Sequence, residues 1–531
     1  MTLKRRIPRA AAMAALSCAA LPAALAAGLS EVPYANPKLP GIVEPTLLSP
    51  ELRQSPVAEG AMTVENPSGV FEFYGFNANG PHLPAFGTNV EASKTEPDKN
   101  TYLVLRNQHG ADASYDYGAH FLYQGHETGL AGYLTRINLD ADSDHRVTAL
   151  ATQDVHGAAL PTIDGSTWYP WSRRLLFTAE GNGSSSGGVW QATADYPAQV
   201  VDLLGVMGRG GYEGIQADFA GNLWLVEDIG GATVAGARLP NSFIYRFVPK
   251  NRFDLTQGGK LQVLQVSKLD HSEPIVYNTT SALTQDVKDL HTYGYSFDTA
   301  WVTIHDTDVE GIAPFNANAL AKAKGGTPFK RPENAQFRPG SFFREFYFDE
   351  TGDTSATTSA GADYGGFGGV FKLTQSGPSA AAGKLTLFYK GDVAHTGFDN
   401  VAFWTPNKLV FVEDRGDTLH AQANALDSAW MFDVRQDYAN PAVQPVRILA
   451  QGRDPLATID SGLLGTSGFQ NDGDNEISGI HVSDGDPGVD GLLGFKLPRP
   501  FRDGWRVFYT QQHGMNVTWE ILSAGDWRDM D

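Results

Sequence analysis

Cysteine is almost missing: Cys18 is the only one in 531 residues. It lies in a segment that reads as a leader, so the processed chain is expected to have no disulfide and no thiolate metal ligand. Basic residues are also scarce. Forty Lys and Arg against 60 Asp and Glu leave a net charge of −20, which argues against a nucleic-acid surface. Beyond the leader, no stretch is long and apolar enough to span a membrane. A Gly-x-Ser-x-Gly elbow is absent, so a serine-hydrolase reading has no anchor. Long amphipathic stretches are few, which disfavours a helical fold.

Turn formers and aromatics are abundant: 58 Gly, 30 Pro, 10 Trp, 19 Tyr and 29 Phe, the composition of an all-β protein. Lys4, Arg5, Arg6 and Arg9 precede an apolar run from Ala10 to Leu21, and Ala24-Leu25-Ala26 suits a cleavage site. Residues 1–26 are therefore expected to be a signal peptide and the protein to be exported, periplasmic or extracellular. Residues 27–60 read as an irregular leader, and 61–531 as one domain.

One unit then recurs: an apolar run that ends on polar groups. Tyr102–Leu105 leads into Arg106-Asn107, Leu175–Thr178 into Ala179-Glu180, and Leu223–Val226 into Glu227-Asp228. Phe346–Phe348 leads into Asp349-Glu350, Leu409–Val412 into Glu413-Asp414, and Val507–Thr510 into Gln511-Gln512-His513. Trp301–Ile304, ending at His305-Asp306, is a further candidate. A continuous apolar run predicts a strand covered on both faces, as between stacked radial sheets. The expected fold is a six-bladed β-propeller with long inter-blade insertions, such as 251–293 and 351–368. Each apolar run is read as the inner strand of a blade, so that the polar ends gather at one mouth of the channel. A large sandwich or a β-helix is the alternative.

Arg331-Pro332-Glu333 sets a fixed cation and a carboxylate two residues apart. Proline favours an extended preceding residue, which would put both side chains on one face. Asp484-Gly485-Asp486 with Asp490 lacks EF-hand spacing and reads as a charged turn. Gly183–Gly188 fits no phosphate loop, and His126-Glu127 reads as structural.

Several stretches in order resemble the PhoX family of secreted, calcium-dependent alkaline phosphatases, over roughly residues 60–520. Arg331-Pro332-Glu333-Asn334 resembles its Arg-Pro-Glu-Asp motif. Gly211-Tyr212-Glu213, Gly221–Asp228 and Phe243–Val248 resemble its His-Glu, Gly-Asp-Asp and Tyr-Lys-Phe-Val run. Phe398-Asp399-Asn400 is similar to its Pro-Asp-Asn, Asn475–Gly479 to its Cys-Glu-aliphatic-Thr-Gly, and Gln512-His513-Gly514 to its Gln-His-Pro. One motif departs. Where the family has Thr-Cys-Glu-Glu, whose cysteine ligates an iron pair, this chain has Thr178-Ala179-Glu180-Gly181 after Pro170-Trp171.

The resemblance implies a metal-dependent phosphomonoesterase acting on a small phosphorylated substrate, and a monomer is expected. It implies Glu180, Glu213, Glu333 and Glu476 as metal ligands, with Glu227 and Asp228 as secondary candidates. Arg331 would grip phosphate bidentately, and Arg331 and Glu333 would form the catalytic pair. Calcium, with six to eight oxygen ligands, suits acids drawn from several blades. Iron is doubtful because Ala179 stands at the cysteine position. Two other functions remain open: a calcium-stabilised propeller that binds without catalysis, and a lactonase-type propeller hydrolase.

Overall fold

The computed structural model describes residues 28–32, 46–68, 71–75, 95–127, 132–180, 186–354, 361–415, 419, 422–423, 425–451, 476–512 and 516–525. The expected signal peptide, Gly181, Gly183–Ser185, Asn475, His513 and Gly514 lie outside these residues.

The apolar runs form strands because each faces a different neighbour on alternate residues. On Arg174–Ala179, Leu175 and Phe177 pack with Phe121 and Tyr123, whereas Leu176 packs with Tyr212 and Leu223. On Leu223–Glu227, Leu223 and Leu225 turn to that second cluster, while Trp224 and Val226 meet Phe337 and Phe346. The alternation continues through Tyr347 against Phe398 and Phe411, Val410 and Val412 against Ile477 and Val507, and Phe508 against Tyr102 and Leu122. The last cluster returns to the first sheet, so the sheets close a ring with apolar seams between them. This is the expected propeller class of an all-β chain.

The blade count is not the expected six. Four sheets stand as separate blades, spanning residues 97–151, 166–202, 398–451 with Thr46–Leu48, and 477–523 with Leu52–Ala58. Among the described residues, the other strands, apart from Thr233–Val234 and Ala237–Arg238, which pair as a small hairpin of their own, form one nine-stranded sheet from Tyr212 to Lys390. In it, two antiparallel meanders are fused at their outer edges because Phe297–Asp306, which contains Trp301–Ile304, pairs with both Gly259–Val266 and Ala382–Lys390. Part of the expected 251–293 insertion is thus a blade strand. Two pieces of the stretch read as an irregular leader are also strands. Thr46–Leu48 pairs with Val446–Gln451 and Leu52–Ala58 with Val517–Ser523, covering the outer edges of two blades.

The position of the apolar runs needs a second correction. Apart from Tyr102–Val104, which is on the axis, and Trp301–Ile304, which is in the outer strand joining the two meanders, they are the second strands of their sheets. The strands at the axis are Pro97–Val104, Ser166–Tyr169, Tyr212–Ala217, Ala335–Phe337, Phe398–Thr405 and Ile477–Ser483. A second strand is hydrogen-bonded on both edges and seamed on both faces, so it is the apolar one. A strand on the axis lines a channel and tolerates polar groups. Among the described residues, no helix is long and apolar enough to cross a membrane.

Candidate metal centre

Each axial strand starts where its partner ends. Pro97 pairs with His126, Ser166 with Phe177, Tyr212 with Glu227, Ala335 with Phe348, Phe398 with Glu413, and Ile477 with Gln511. Axial-strand starts and second-strand exits therefore share one mouth, as the sequence pattern implied. In four axial strands the register slips by one residue at that place: between Pro97 and Asn100, Tyr212 and Ile215, Phe398 and Val401, and Ser478 and His481. Such bulges break the strict alternation of side chains and re-aim them. Asp98, Glu213 and Asp399 sit within three of these bulges. Gly214 is needed beside one of them, because a Cβ there would lie 2.8 Å from the Glu333 carbonyl oxygen and 2.7 Å from Val226.

The acids converge. Among the described residues, carboxylate oxygens lie within 4.8 Å of one another in four overlapping groups: Asp98, Asp399 and Glu476; Asp98, Asp164 and Glu213; Glu180, Glu213 and Asp228; and Glu213, Glu333 and Asp399. The four acids expected as ligands, Glu180, Glu213, Glu333 and Glu476, each fall in at least one of these groups, and Glu213 belongs to three of them. Asp228, a secondary candidate, joins them. Glu227 does not. Its carboxylate turns away to Tyr245, Asn318 and the backbone of Phe243, and burial lifts its pKa to about 7.

Asp98 and Asp164 were not singled out in the sequence, and Asp399 appeared only inside a motif. Their shared signal is position at the start of an axial strand, which requires the register to be known. Glu127, read as structural, stands at a second-strand exit and accepts a hydrogen bond from Gln512 at 2.9 Å. His126 is structural as read. It is buried between Thr95 and Thr135, and burial pushes its pKa down to about 3. Asp484 and Asp486 likewise form a charged turn, both paired with Lys496.

Burial pushes Glu127, Asp164, Glu180, Glu213, Glu333, Asp399 and Glu476 well above the usual carboxylate range. Repulsion from neighbouring carboxylates adds to it, opposed at Glu180 and Glu333 by Arg331. Asp164 Oδ1, Asp349 Oδ2 and Asp399 Oδ2 are buried without a hydrogen-bond partner. Buried anionic oxygens without donors call for cations. An all-oxygen set of irregular geometry fits calcium. A thiolate-held iron pair does not fit, because Ala179 packs among Phe177, Trp190 and Leu204 and offers no donor.

Arg331 reaches the site by a different backbone from the one expected. Its φ is +57°, left-handed rather than extended, yet its guanidinium still meets Glu333 at 3.0 Å. Nε and Nη2 also grip Asp228 at 2.7–3.0 Å. The Nε/Nη2 edge is thus occupied, so the expected two-point grip on phosphate through it is not available. Nη1 remains for an oxyanion.

Residues 235–421 match the family described as alkaline phosphatase PhoX. Over that span, which is less than half of the chain, the sequence is similar to the PhoX family. The matched span holds Arg331, Glu333, Asp349, Asp399 and Asp414. No curated protein matches the chain. Among solved structures, a GH43_1 enzyme from Xanthomonas citri is similar at 12% identity, with 64% of this chain and 87% of that one covered and a TM-score of 0.24. A lignostilbene dioxygenase from Pseudomonas brassicacearum is similar at 8% identity, with 89% and 96% covered and a TM-score of 0.25. At such TM-scores neither likeness bears on the function of this chain.

Proposed function

We propose that this protein is an exported, calcium-dependent phosphatase that hydrolyses small phosphomonoesters at the acid-lined mouth. The observation that carries the reading is the convergence of Glu180, Glu213, Glu333 and Glu476 with Asp98, Asp164, Asp228 and Asp399 in overlapping groups within 4.8 Å. A phosphomonoester dianion would be repelled by these carboxylates alone. Bound calcium would supply the neutralising charge and Lewis acidity. The carboxylates hold the cations, and Glu213, shared by three groups, ties the groups together. Asp228 and Glu333 clamp the Arg331 guanidinium, which leaves Nη1 to orient a phosphoryl oxygen at little entropic cost. With Ala179 in place of a thiolate, turnover is expected to be slow, because calcium-bound water is less acidic than water on a stronger Lewis acid.

The test is elemental analysis of the purified protein, paired with an aryl-phosphate assay before and after chelation. Calcium without iron, with turnover that disappears on chelation and returns with calcium, is the expected result. Turnover that survives chelation would exclude the reading. Calcium without phosphatase turnover would point to a binding module, and turnover of lactones in its place to the lactonase alternative.

A further inference from the structure

The acid cluster has an inner boundary made by one side chain. Lys99 follows Asp98 in the bulged start of its axial strand and is only 3% exposed. Its ammonium donates to Asn334 Oδ1. Asn334 in turn donates through Nδ2 to Glu213 Oε1 at 3.3 Å and through its backbone N–H to Asp349 Oδ1 at 2.8 Å. The carboxylates of Asp98, Asp399, Asp349 and Glu213 all act on Lys99 electrostatically. Two of them, Asp349 and Asp399, are at most 2% exposed and each keeps one oxygen without a hydrogen-bond partner. Further down the axis, the cavity that Lys99 also lines is bordered mostly by neutral groups, among them Thr101, Ser166, Gln216, Gln336 and His481, with one acid, Asp486, that is already paired with Lys496. Lys99 is thus the one cation in the lining of this cavity among the described residues.

We propose that Lys99 is a tethered cation that takes the place of a metal ion at the inner end of the site, so that divalent cations bind only on its outer side. The inference rests on the metal-site reading above. A cation is needed there because the inner carboxylates are buried and water cannot screen them. A lysine tied into the strand meets that need without diffusing away, and it sets how many ions the mouth takes up. It is a positioning residue: it acts through the carboxylates and through Asn334, and not on substrate.

The experiment counts calcium. Wild type, Lys99→Met and Lys99→Arg are equilibrated with calcium, freed of excess, and analysed for bound metal, with melting followed in calcium and in chelator. Lys99→Met is expected to bind roughly one more calcium per chain than wild type, and its melting temperature to depend more steeply on calcium. Lys99→Arg keeps the charge and is expected to hold the wild-type number. An equal calcium count in Lys99→Met and wild type, with equal calcium-dependent melting shifts, would overturn the proposal. Should Lys99→Met not fold even in calcium, the double variant with Asp349→Asn restores the charge balance. It is expected to fold and bind the wild-type number, and its failure to fold, or an extra ion in it, would also refute the idea. Wild type without any bound calcium would sink the metal-site reading instead. The difference between variant and wild type would still decide the role of Lys99.

Discussion

Replacing Arg331 by methionine separates two functions of one guanidinium. The side chain keeps its aliphatic length and loses its charge. In the native site that charge lies 2.7 Å from an Asp228 oxygen and 3.0 Å from a Glu333 oxygen. A charge-assisted hydrogen bond from Nη1 to a phosphoryl oxygen contributes about 1.5–3 kcal/mol. Inorganic phosphate should therefore bind about 10- to 150-fold more weakly, at roughly 1.4 kcal/mol per decade. Calcium should move the other way. Two carboxylates lose a partner whose attraction at 4 Å is about 4 kcal/mol for an effective dielectric constant of 20, an upper limit before water and ions screen it. The variant should thus hold calcium at least as tightly as wild type while binding phosphate worse. Calcium titration by calorimetry and competitive inhibition by phosphate, each at fixed ionic strength, measure the two arms. Phosphate affinity unchanged at full calcium occupancy would refute the role given to Arg331. A parallel fall in both affinities would show that the arginine merely holds the site together.

Glu213→Gln should lower calcium affinity by roughly tenfold or more, because it removes a charged ligand shared by three groups, and titration calorimetry would read it. The chelated protein should lose stability as pH rises from the ordinary carboxylate range toward neutrality. The folded-state pKa values of Glu180, Glu213, Asp399 and Glu476 are raised, so these groups favour folding below their unfolded pKa and oppose it as they ionise in the fold. Melting curves from pH 4 to 8 should therefore diverge with and without calcium; parallel curves would contradict this. Trp224→Ala should cost about 3–5 kcal/mol in urea unfolding, since this wholly buried ring meets Trp301 and Phe337 edge-on at 5.1 Å. Ala179→Cys should leave the iron content unchanged, because the new thiol would stand among Phe177, Trp190 and Leu204; stoichiometric iron in this variant would disprove it.

Leu175–Thr178, Leu223–Val226 and Leu409–Val412 carry their own secondary structure and their own two-sided burial in consecutive residues. The strands, the stacked sheets and the acidic exits were legible for that reason: alternation is a local property of a strand. Glu180, Glu213, Glu333 and Glu476 were reached through motifs, and the fold brings all four together. What no local pattern specifies is which strand lies on the axis, since five of the apolar runs proved to be second strands, one an axial strand and one an outer strand. Nor does it specify where a register slips. The bulges at Asp98, Glu213 and Asp399 turn residues toward the mouth that strict alternation would not place there. Asp98 and Asp399 are 301 positions apart in the sequence, yet their oxygens lie within 4.8 Å. The same holds for Lys99 against Asn334, and for Arg331 against Asp228. The sequence by itself determined strands, seams and acidic exits, because these depend on neighbours along the chain. The tertiary structure alone decided which charges share one low-dielectric space, because ring closure sets those distances.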